Sequence, residues 1–371
     1  MCNSPWRAAE FFAGMGLVRK ALEKSGFEVV FANDISPVKH KMYASNFGAD
    51  DFRLGDIRDI DGSDVPDVEL VTASFPCTDL SLAGTRAGLQ GPESGLFWEF
   101  ARVLCEMGER RPDAVLLENV LGFATSRGGR DLDAAIEKMN DLGYSCDLLL
   151  GDARWFVPQS RPRLFVVGLK QTPDSQDWAP SAFRPEWLGD FRLNHYARRW
   201  HSYSVSMPTG EPGGLAEVVE GLPGTDSRWW DSGRVRKFKD SLSAVQRQRV
   251  KSMVDQQRIS WRTAYRRTRQ GRPVWEVRSD DIAGCLRTAR GGSSKQALVE
   301  AGSGDLRVRW LTPREYARLQ GADDVKLDAV TPNQALYGLG DAVCVPVVEW
   351  IAAAYLSPVL SQVPRRVGAY A

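Results

Sequence analysis

Short apolar runs alternate with amphipathic stretches from residue 7 to residue 170. Ala8–Phe12, Val29–Ala32, Leu70–Ser74, Ala114–Leu117, Ser145–Leu150 and Leu164–Leu169 predict strands. Leu17–Ser25, Val38–Asn46, Leu96–Met107 and Leu132–Leu142 carry helical spacing between them. Strands alternating with helices predict an α/β fold built on a doubly wound, mostly parallel sheet. Ligands of such sheets bind beyond the carboxyl ends of the strands. Near residue 171 the rhythm stops, and residues 173–235 are rich in Pro, Gly, Ser and Trp without a steady period. Beyond them, Val245–Arg269 reads as a basic helix. Thr312-Pro313-Arg314-Glu315 is a capping box with proline at the first helical position, and Thr331-Pro332-Asn333 opens another helix. Val345–Tyr355 predicts a last one.

The chain has 371 residues, enough for one large domain and a smaller one, each with its own core. Its net charge of +1 conceals an asymmetry. Residues 1–150 hold 15 Lys/Arg against 24 Asp/Glu, whereas residues 228–295 hold 18 against 6. An acidic scaffold with a basic contact face fits that division, as does a solvated basic surface. Six cysteines without a C-x-x-C pair, and only three histidines, argue against a zinc site or a disulfide framework and fit a reducing cytoplasm. No run of residues reads as a membrane span or a signal segment, so no membrane partner is expected.

Candidate chemistry gathers where strands should end. Phe12-Ala13-Gly14-Met15-Gly16 joins the first strand to the first helix, and glycines there let a ligand approach a helix N-terminus. Arg19 replaces the third glycine of G-x-G-x-x-G, which suits a pyrophosphate-free cofactor such as S-adenosylmethionine better than NAD. Asp34 and Gly55-Asp56-Ile57 fall at the next strand ends, where carboxylates hold ribose hydroxyls or cap helices. Pro76-Cys77 follows the apolar Leu70–Phe75, and Gly84, Gly88, Gly91 and Gly95 after it read as a loop able to close over a substrate. A cysteine so placed is either a nucleophile or a small core hydrophobe. Glu118 ends the run Val115-Leu116-Leu117, where partial desolvation favours a protonated carboxyl able to donate to a ring nitrogen. Arg161 and Arg163 alternate at a strand start, so one can face the pocket and the other the core.

In this order the motifs resemble those of the cytosine-C5 DNA methyltransferases, from residue 7 to about 356. Phe12-Ala13-Gly14-Met15-Gly16, Asn33-Asp34 with Asn46-Phe47-Gly48, and Gly55-Asp56-Ile57 resemble the first three motifs. Phe75-Pro76-Cys77 with Ser81 resembles the catalytic motif, and Gly84 through Leu96-Phe97 the closing loop. Glu118-Asn119-Val120, then Gln159, Arg161 and Arg163, then Arg309 through Glu315, then Gly340-Asp341-Ala342-Val343 through Pro346 complete the series. The resemblance implies a Rossmann-like methyltransferase that uses S-adenosylmethionine, releases S-adenosylhomocysteine and needs no metal. It implies that a cytosine flips out of double-stranded DNA and that Cys77 adds to C6. Glu118 would hold N3 and N4 and Arg163 would hold O2, with Arg161 in the same catalytic set. C5 would then take the methyl group, and elimination of its proton would free Cys77. Phe12, Gly14, Met15, Gly16, Leu17, Asp34, Ile35, Asp56, Ile57, Pro76, Asp341 and Val343 would hold the cofactor.

Some positions depart from the family pattern. Thr78 and Leu80 replace frequent Gln and Phe, Ile35 stands where many members place an aromatic residue, and Asp341 replaces the usual Asn. Residues 171–305 match no motif, as in a target recognition domain. The domains expected are thus 1–170 with 330–371 for catalysis and 171–329 for target recognition. Ser81, Gly84, Arg86, Arg287, Arg290, Ser293 and Lys295 are the expected DNA contacts. A monomer modifying host DNA beside a restriction enzyme or another anti-phage defence partner is the expected setting. A tRNA cytosine methyltransferase on the same scaffold and a silent DNA-binding homologue are the alternatives.

Overall fold

The computed structural model describes residues 5–76, 88–91, 95–173, 178–210, 212–269, 271–288 and 295–364. Contacts divide the chain into two units, one formed by residues 1–152, 162–209 and 345–371, the other by 153–161 and 210–344. These compact units cut the chain elsewhere than the functional domains read from the sequence.

The first unit holds seven strands: β1 Trp6–Phe11, β2 Phe27–Asp34, β3 Phe52–Leu54, β4 Leu70–Ala73, β5 Ala114–Val120, β6 Ser145–Asp152 and β7 Pro162–Leu169. Their order is β3-β2-β1-β4-β5-β7-β6. The pairs from β3 to β5 are parallel, and β7 runs antiparallel between β5 and β6. The helices are α1 Leu17–Lys24, α2 Pro37–Phe47, α3 Leu96–Glu106, α4 Gly122–Thr125, α5 Arg130–Asp141 and α6 Glu186–Asn194. Helix α2 starts as its sequence dictates, with Ser36 as N-cap and Pro37 at the first position. One face of the sheet packs Ala9, Phe11, Val71, Ala73, Val115 and Leu117 into the main apolar core with α3 and α5.

Edge strand β6 is covered by residues 178–209, a region without helical or strand periodicity in sequence. Leu150 N–H donates to Phe183 O at 2.8 Å, Cys146 N–H to Arg199 O at 3.0 Å, and His201 N–H to Cys146 O at 3.0 Å. Covering an edge removes a template for unwanted strand pairing. Behind it lies a buried polar cluster. Asp147, fully buried, takes the Arg184 guanidinium, Arg192 at 3.3 Å and the Tyr355 hydroxyl at 3.0 Å. His201 lies 2.9 Å from both Ser145 Oγ and Tyr355 Oη.

The second unit contains α7 Ser232–Asp240, α8 Ala244–Val254, β8 Ser260–Arg269, β9 Arg272–Val277, β10 Ala297–Gly302, β11 Asp305–Trp310, α9 Pro313–Leu319 and α10 Pro332–Asp341. Its antiparallel sheet has the order β11-β10-β8-β9. The basic helix expected over Val245–Arg269 is therefore only half helix. Trp261, Thr263, Tyr265 and Thr268 favour extended backbone, and the interspersed arginines imitate a polar helix face. The predicted capping box forms at Thr312/Glu315, and the helix expected from Thr331 opens with a second one, Thr331/Gln334. Glu315 also faces Arg309 in a fully buried pair, with Arg309 Nη1 donating at 2.7 Å. Backbone N–H groups of Thr312 and Glu220 complete its coordination at 2.8 and 2.9 Å. A buried carboxylate is supported when its oxygens are engaged in this way.

The chain rejoins the first unit with α11 Val345–Ile351, a π-helical turn Ala352–Leu356 and α12 Ser357–Leu360. Pro332–Leu360 is long and apolar enough to cross a membrane by composition alone. Ala342 breaks it with extended dihedrals, and 67% of its most apolar window is buried, which is the signature of core helix.

Burial lowers His201 to about 4, with Arg192 and Arg184 pushing the same way and Asp147 opposing them. The unfolded imidazole titrates near 6.5, so the unfolded chain binds this proton first as pH falls. The contribution of His201 is complete above pH 6.5 and is lost towards pH 4, at up to about 1.4 kcal/mol per pH unit. Urea unfolding of wild type and His201→Gln at stepped pH should show a steeper loss for wild type across that window. Parallel curves would contradict the assignment.

Candidate active site

The turn after β1 is built around unusual backbone. Phe12 has φ +56°, rare for a residue with a side chain, and Gly14 and Gly16 have φ +58° and +85°. Gly16 is required twice over, because a Cβ there would also meet Phe47 at 2.5 Å. Asp34, buried at the end of β2, accepts Gly14 N–H at 2.9 Å and Ser36 N–H at 2.8 Å. Asn33 ties the end of β3 by donating to Arg53 O at 2.9 Å and Gly55 O at 3.0 Å. The three strand ends thus form one laced ledge. Met15, Leu17 and Ile57 are buried, so their backbone is what they offer a ligand. Ile35 is 63% exposed, an apolar side chain standing in solvent beside Asp34. Asp56 caps the turn after Gly55 through Arg58 N–H at 3.0 Å and pairs with the Arg58 guanidinium at 2.9 Å.

These features suit a nucleoside cofactor. The glycine turn admits close approach at the N-terminus of α1, acids end β2 and follow β3, and an exposed apolar side chain stands between them.

The reactive group sits two strands away. Strand β5 continues through Val120, so Glu118 lies within it rather than at its end. Its neighbour β7 sets Val120 opposite Arg163 and Glu118 opposite Phe165. Arg163 Nε then meets Glu118 Oε1 at 3.1 Å, with both side chains largely shielded. The acid expected to stand desolvated is instead ion-paired. Asn119, buried, donates to Phe75 O at 3.1 Å, one residue ahead of Pro76, and accepts Val120 N–H at 2.8 Å. It braces the segment that leads to the thiol. Cys77 itself, with Ser81, Gly84, Arg86, Arg290 and Ser293, lies outside the described residues.

Gln159 and Arg161 belong to the second unit and act on its backbone. Gln159, fully buried, donates to Leu319 O at 2.6 Å and accepts Leu286 N–H at 3.1 Å. Arg161 does not lie on β7 as expected but precedes it. Its buried guanidinium donates to Leu286 O at 2.8 Å and Ala342 O at 2.7 Å. Among the described residues the structure sets Glu118 and Arg163 side by side and gives Arg161 a separate task, holding residues 286 and 340–342. In the same unit Thr288 donates to Asp341, Lys295 donates to Asn333 at 2.6 Å, and Gly340 leaves room for the Arg287 carbonyl, which a Cβ would meet at 2.2 Å. Val343 is buried, and Arg287 is exposed.

Two residues were missed from sequence. Asn119 was noted only as part of a motif, and its brace is a long-range contact that spacing cannot reveal. Glu10 was overlooked, although a lone acid inside the apolar Ala8–Phe12 was a readable signal.

An open α/β sheet with one antiparallel strand, a glycine ledge for a nucleoside and an acid–arginine pair on the strand whose Asn119 braces Phe75 define a base-modifying transferase of the methyltransferase class. The sequence profile of the C-5 cytosine-specific DNA methylases matches residues 6–357, and the chain belongs to that family. It is 28% identical over 352 residues to the Type II methyltransferase M.NgoBI of Neisseria gonorrhoeae, covering 93% of this chain and 91% of that protein. It is 31% identical over 173 residues to M.HhaI of Haemophilus parahaemolyticus, covering 46% and 51%. Among solved structures it is similar to the Dnmt2 methyltransferase of S. pombe, with TM-score 0.62, 19% identity and coverage of 95% and 99%. The Entamoeba histolytica methyltransferase EhMeth gives TM-score 0.65 at 14% identity, with coverage of 96% and 99%.

Replacing Asn119 with Ala should strand the Phe75 carbonyl, at a cost of about 1–3 kcal/mol in unfolding free energy. Misplacement of the following segment should slow methyl transfer by about tenfold or more. Binding of S-adenosylhomocysteine should not change. Wild-type turnover in the folded variant would contradict the brace.

Proposed function

We propose that this DNA cytosine-C5 methyltransferase acts on a cytosine flipped out of double-stranded DNA, with Cys77 as nucleophile and Glu118 and Arg163 as the groups that hold the base. The observation that carries the reading is the 3.1 Å Glu118–Arg163 pair beside the Asn119 brace on Phe75, inside a family match that spans residues 6–357. A base inside a duplex shields C6 from any thiol, so extrusion precedes chemistry. Cys77 thiolate adds to C6. As negative charge builds at N3, the Glu118 carboxyl gives N3 its proton and accepts from N4–H, while Arg163 orients Glu118 and meets O2. Bound S-adenosylmethionine supplies an electrophilic methyl group, and loss of the C5 proton expels the thiolate. For the cofactor, Phe12, Gly14 and Gly16 form the turn, Asp34 and Asp56 supply carboxylates and Ile35 an apolar face. Arg161 is a positioning residue.

Target recognition falls to the second unit. Its basic α7, α8 and β8 fit a phosphate-contacting surface. The Neisseria gonorrhoeae and Haemophilus parahaemolyticus relatives are Type II methyltransferases, and host-DNA modification beside a cognate endonuclease, by a cytoplasmic monomer, is the setting that follows.

Radiolabelled methyl transfer to duplex DNA and to tRNA tests the substrate, and bisulfite sequencing of DNA from expressing cells reads the target. Duplex DNA should be methylated, and Cys77→Ser should abolish transfer while retaining DNA binding. Labelling confined to tRNA, or normal transfer by the variant, would overturn the reading. Neutralising Arg287, Arg290 and Lys295 together should lower the salt-dependence slope of DNA binding by about 2–3 if each meets a phosphate. An unchanged slope removes this segment from the interface.

A further inference from the structure

Two small residues sit at the centre of the second unit's sheet. Ala264 on β8 lies opposite Ala297 on β10, and Ala297 lies opposite Trp310 on β11. Large rings from the outer strands lean over that gap until Trp275 on β9 and Trp310 meet, with centroids 5.6 Å apart. Trp230, whose backbone N–H donates to Val308 O at 2.8 Å, closes the cluster at 5.2 Å from Trp310 and 5.5 Å from Trp275. Phe238 of α7 joins it 5.6 Å from Trp275.

Arg234 stands four residues before Phe238, so both leave the same side of α7. Helical spacing calls for an apolar side chain there, as at Val235 and Phe238, which pack on this core. Instead the Arg234 guanidinium lies 4.0 Å from the Trp230 centroid and 5.3 Å from that of Trp310. Burial against the rings lowers its pKa, although the N-cap Asp231 pulls the other way. Several arginines of this unit are already engaged: Arg228 by Asp226, Arg278 by Asp280, and Arg267 and Arg269 by Glu276. Among the described residues the Arg234 guanidinium meets rings but no hydrogen-bond acceptor.

The stack decides what Arg234 can do. With one flat face against an indole, the guanidinium is fixed in its plane and offers parallel N–H donors along its edge. Two acceptors side by side match that fork, either guanine O6 and N7 or two oxygens of a phosphate. A phosphate contact carries no sequence information and is met by any cation within reach. The β8–β9 hairpin supplies such cations where it leaves the cluster: Arg266 lies opposite Trp275, and Arg266, Arg267, Arg269 and Arg272 are all exposed. A guanidinium mounted on indoles suits the contact in which geometry selects the partner. On the reading above that duplex DNA is the substrate, we propose that Arg234 is a specificity-determining residue. It donates two hydrogen bonds to O6 and N7 of one guanine in the target, held for that contact by Trp230 and Trp310, while the hairpin arginines meet phosphates.

Bisulfite sequencing supplies the target, and duplexes carrying it with one guanine at a time replaced by 7-deazaguanine each lack a single N7 acceptor. Binding of the full chain to these duplexes is measured with S-adenosylhomocysteine present. Wild type should lose about fivefold or more in affinity at one guanine. Arg234→Met, which keeps apolar packing on the rings, should bind the unmodified target about 5-fold to 150-fold more weakly and no longer distinguish it from the 7-deaza duplex. On duplex without the target, the two proteins should bind alike and with the same salt slope. Arg272→Gln should lower that slope by about one and keep the 7-deaza penalty. Wild type indifferent to N7 at every guanine overturns the proposal without recourse to a variant. A penalty that persists in Arg234→Met overturns it as well, as does an equal loss by that variant on target and non-target duplex, the mark of a phosphate contact. A penalty that vanishes in Arg272→Gln moves the base contact to the hairpin and overturns it too. No binding or methylation of duplex DNA by wild type overturns the substrate reading, and this proposal with it.

Discussion

One strand running against its neighbours organises the reactive end of the sheet. Because β7 enters antiparallel between β5 and β6, its first residues lie beside the last residues of β5, and Arg163 meets Glu118 at 3.1 Å. A parallel β7 would carry Arg163 to the opposite edge and leave the acid unpartnered. The pair keeps the Glu118 side chain ordered in a largely shielded position, where an unpartnered polar group would be costly. Asn119, between Glu118 and Val120, adds the second constraint by holding Phe75 O. Together these contacts fix one end of the segment that carries Cys77.

A second ledge, at the other strand ends, is set by backbone rather than charge. Left-handed Phe12, Gly14 and Gly16 turn the chain sharply into α1, while Asn33 and Asp34 lace that turn to β2 and β3. Glu10 caps the helix from behind. The strain at Phe12 is a local cost that a packed sheet sustains, and ligand sites are where such costs gather.

Much of the first unit was legible because burial imposes period. Strands and helices fell within a few residues of their predicted places, and β5 was read short because Glu118 looked like a terminator rather than a buried member. Residues 178–209 were not legible. They cover β6 through isolated backbone contacts of Phe183, Arg199 and His201, and no period announces such a strap. The stretch before Arg269 misled for another reason, since arginines spaced along a strand resemble the polar face of a helix. The motifs set out the candidate site residues in order but not their contacts. Nothing in the spacing of Gln159, Arg161 and Arg163 reveals that the first two serve backbone carbonyls and only the third faces Glu118. Those tasks depend on partners 125 or more residues away for Arg161, which sequence alone does not bring near.

The catalysis we propose is covalent, with Cys77 attacking C6 of a cytosine that Glu118 and Arg163 hold. Duplex DNA carrying 5-fluorocytosine at the target tests it most directly, because fluorine at C5 cannot leave as a proton does and the adduct persists. Incubation with S-adenosylmethionine should give a denaturant-resistant protein–DNA complex whose digested peptide bears the nucleotide on Cys77. A complex that falls apart in denaturant, or an adduct on any other residue, would contradict the account.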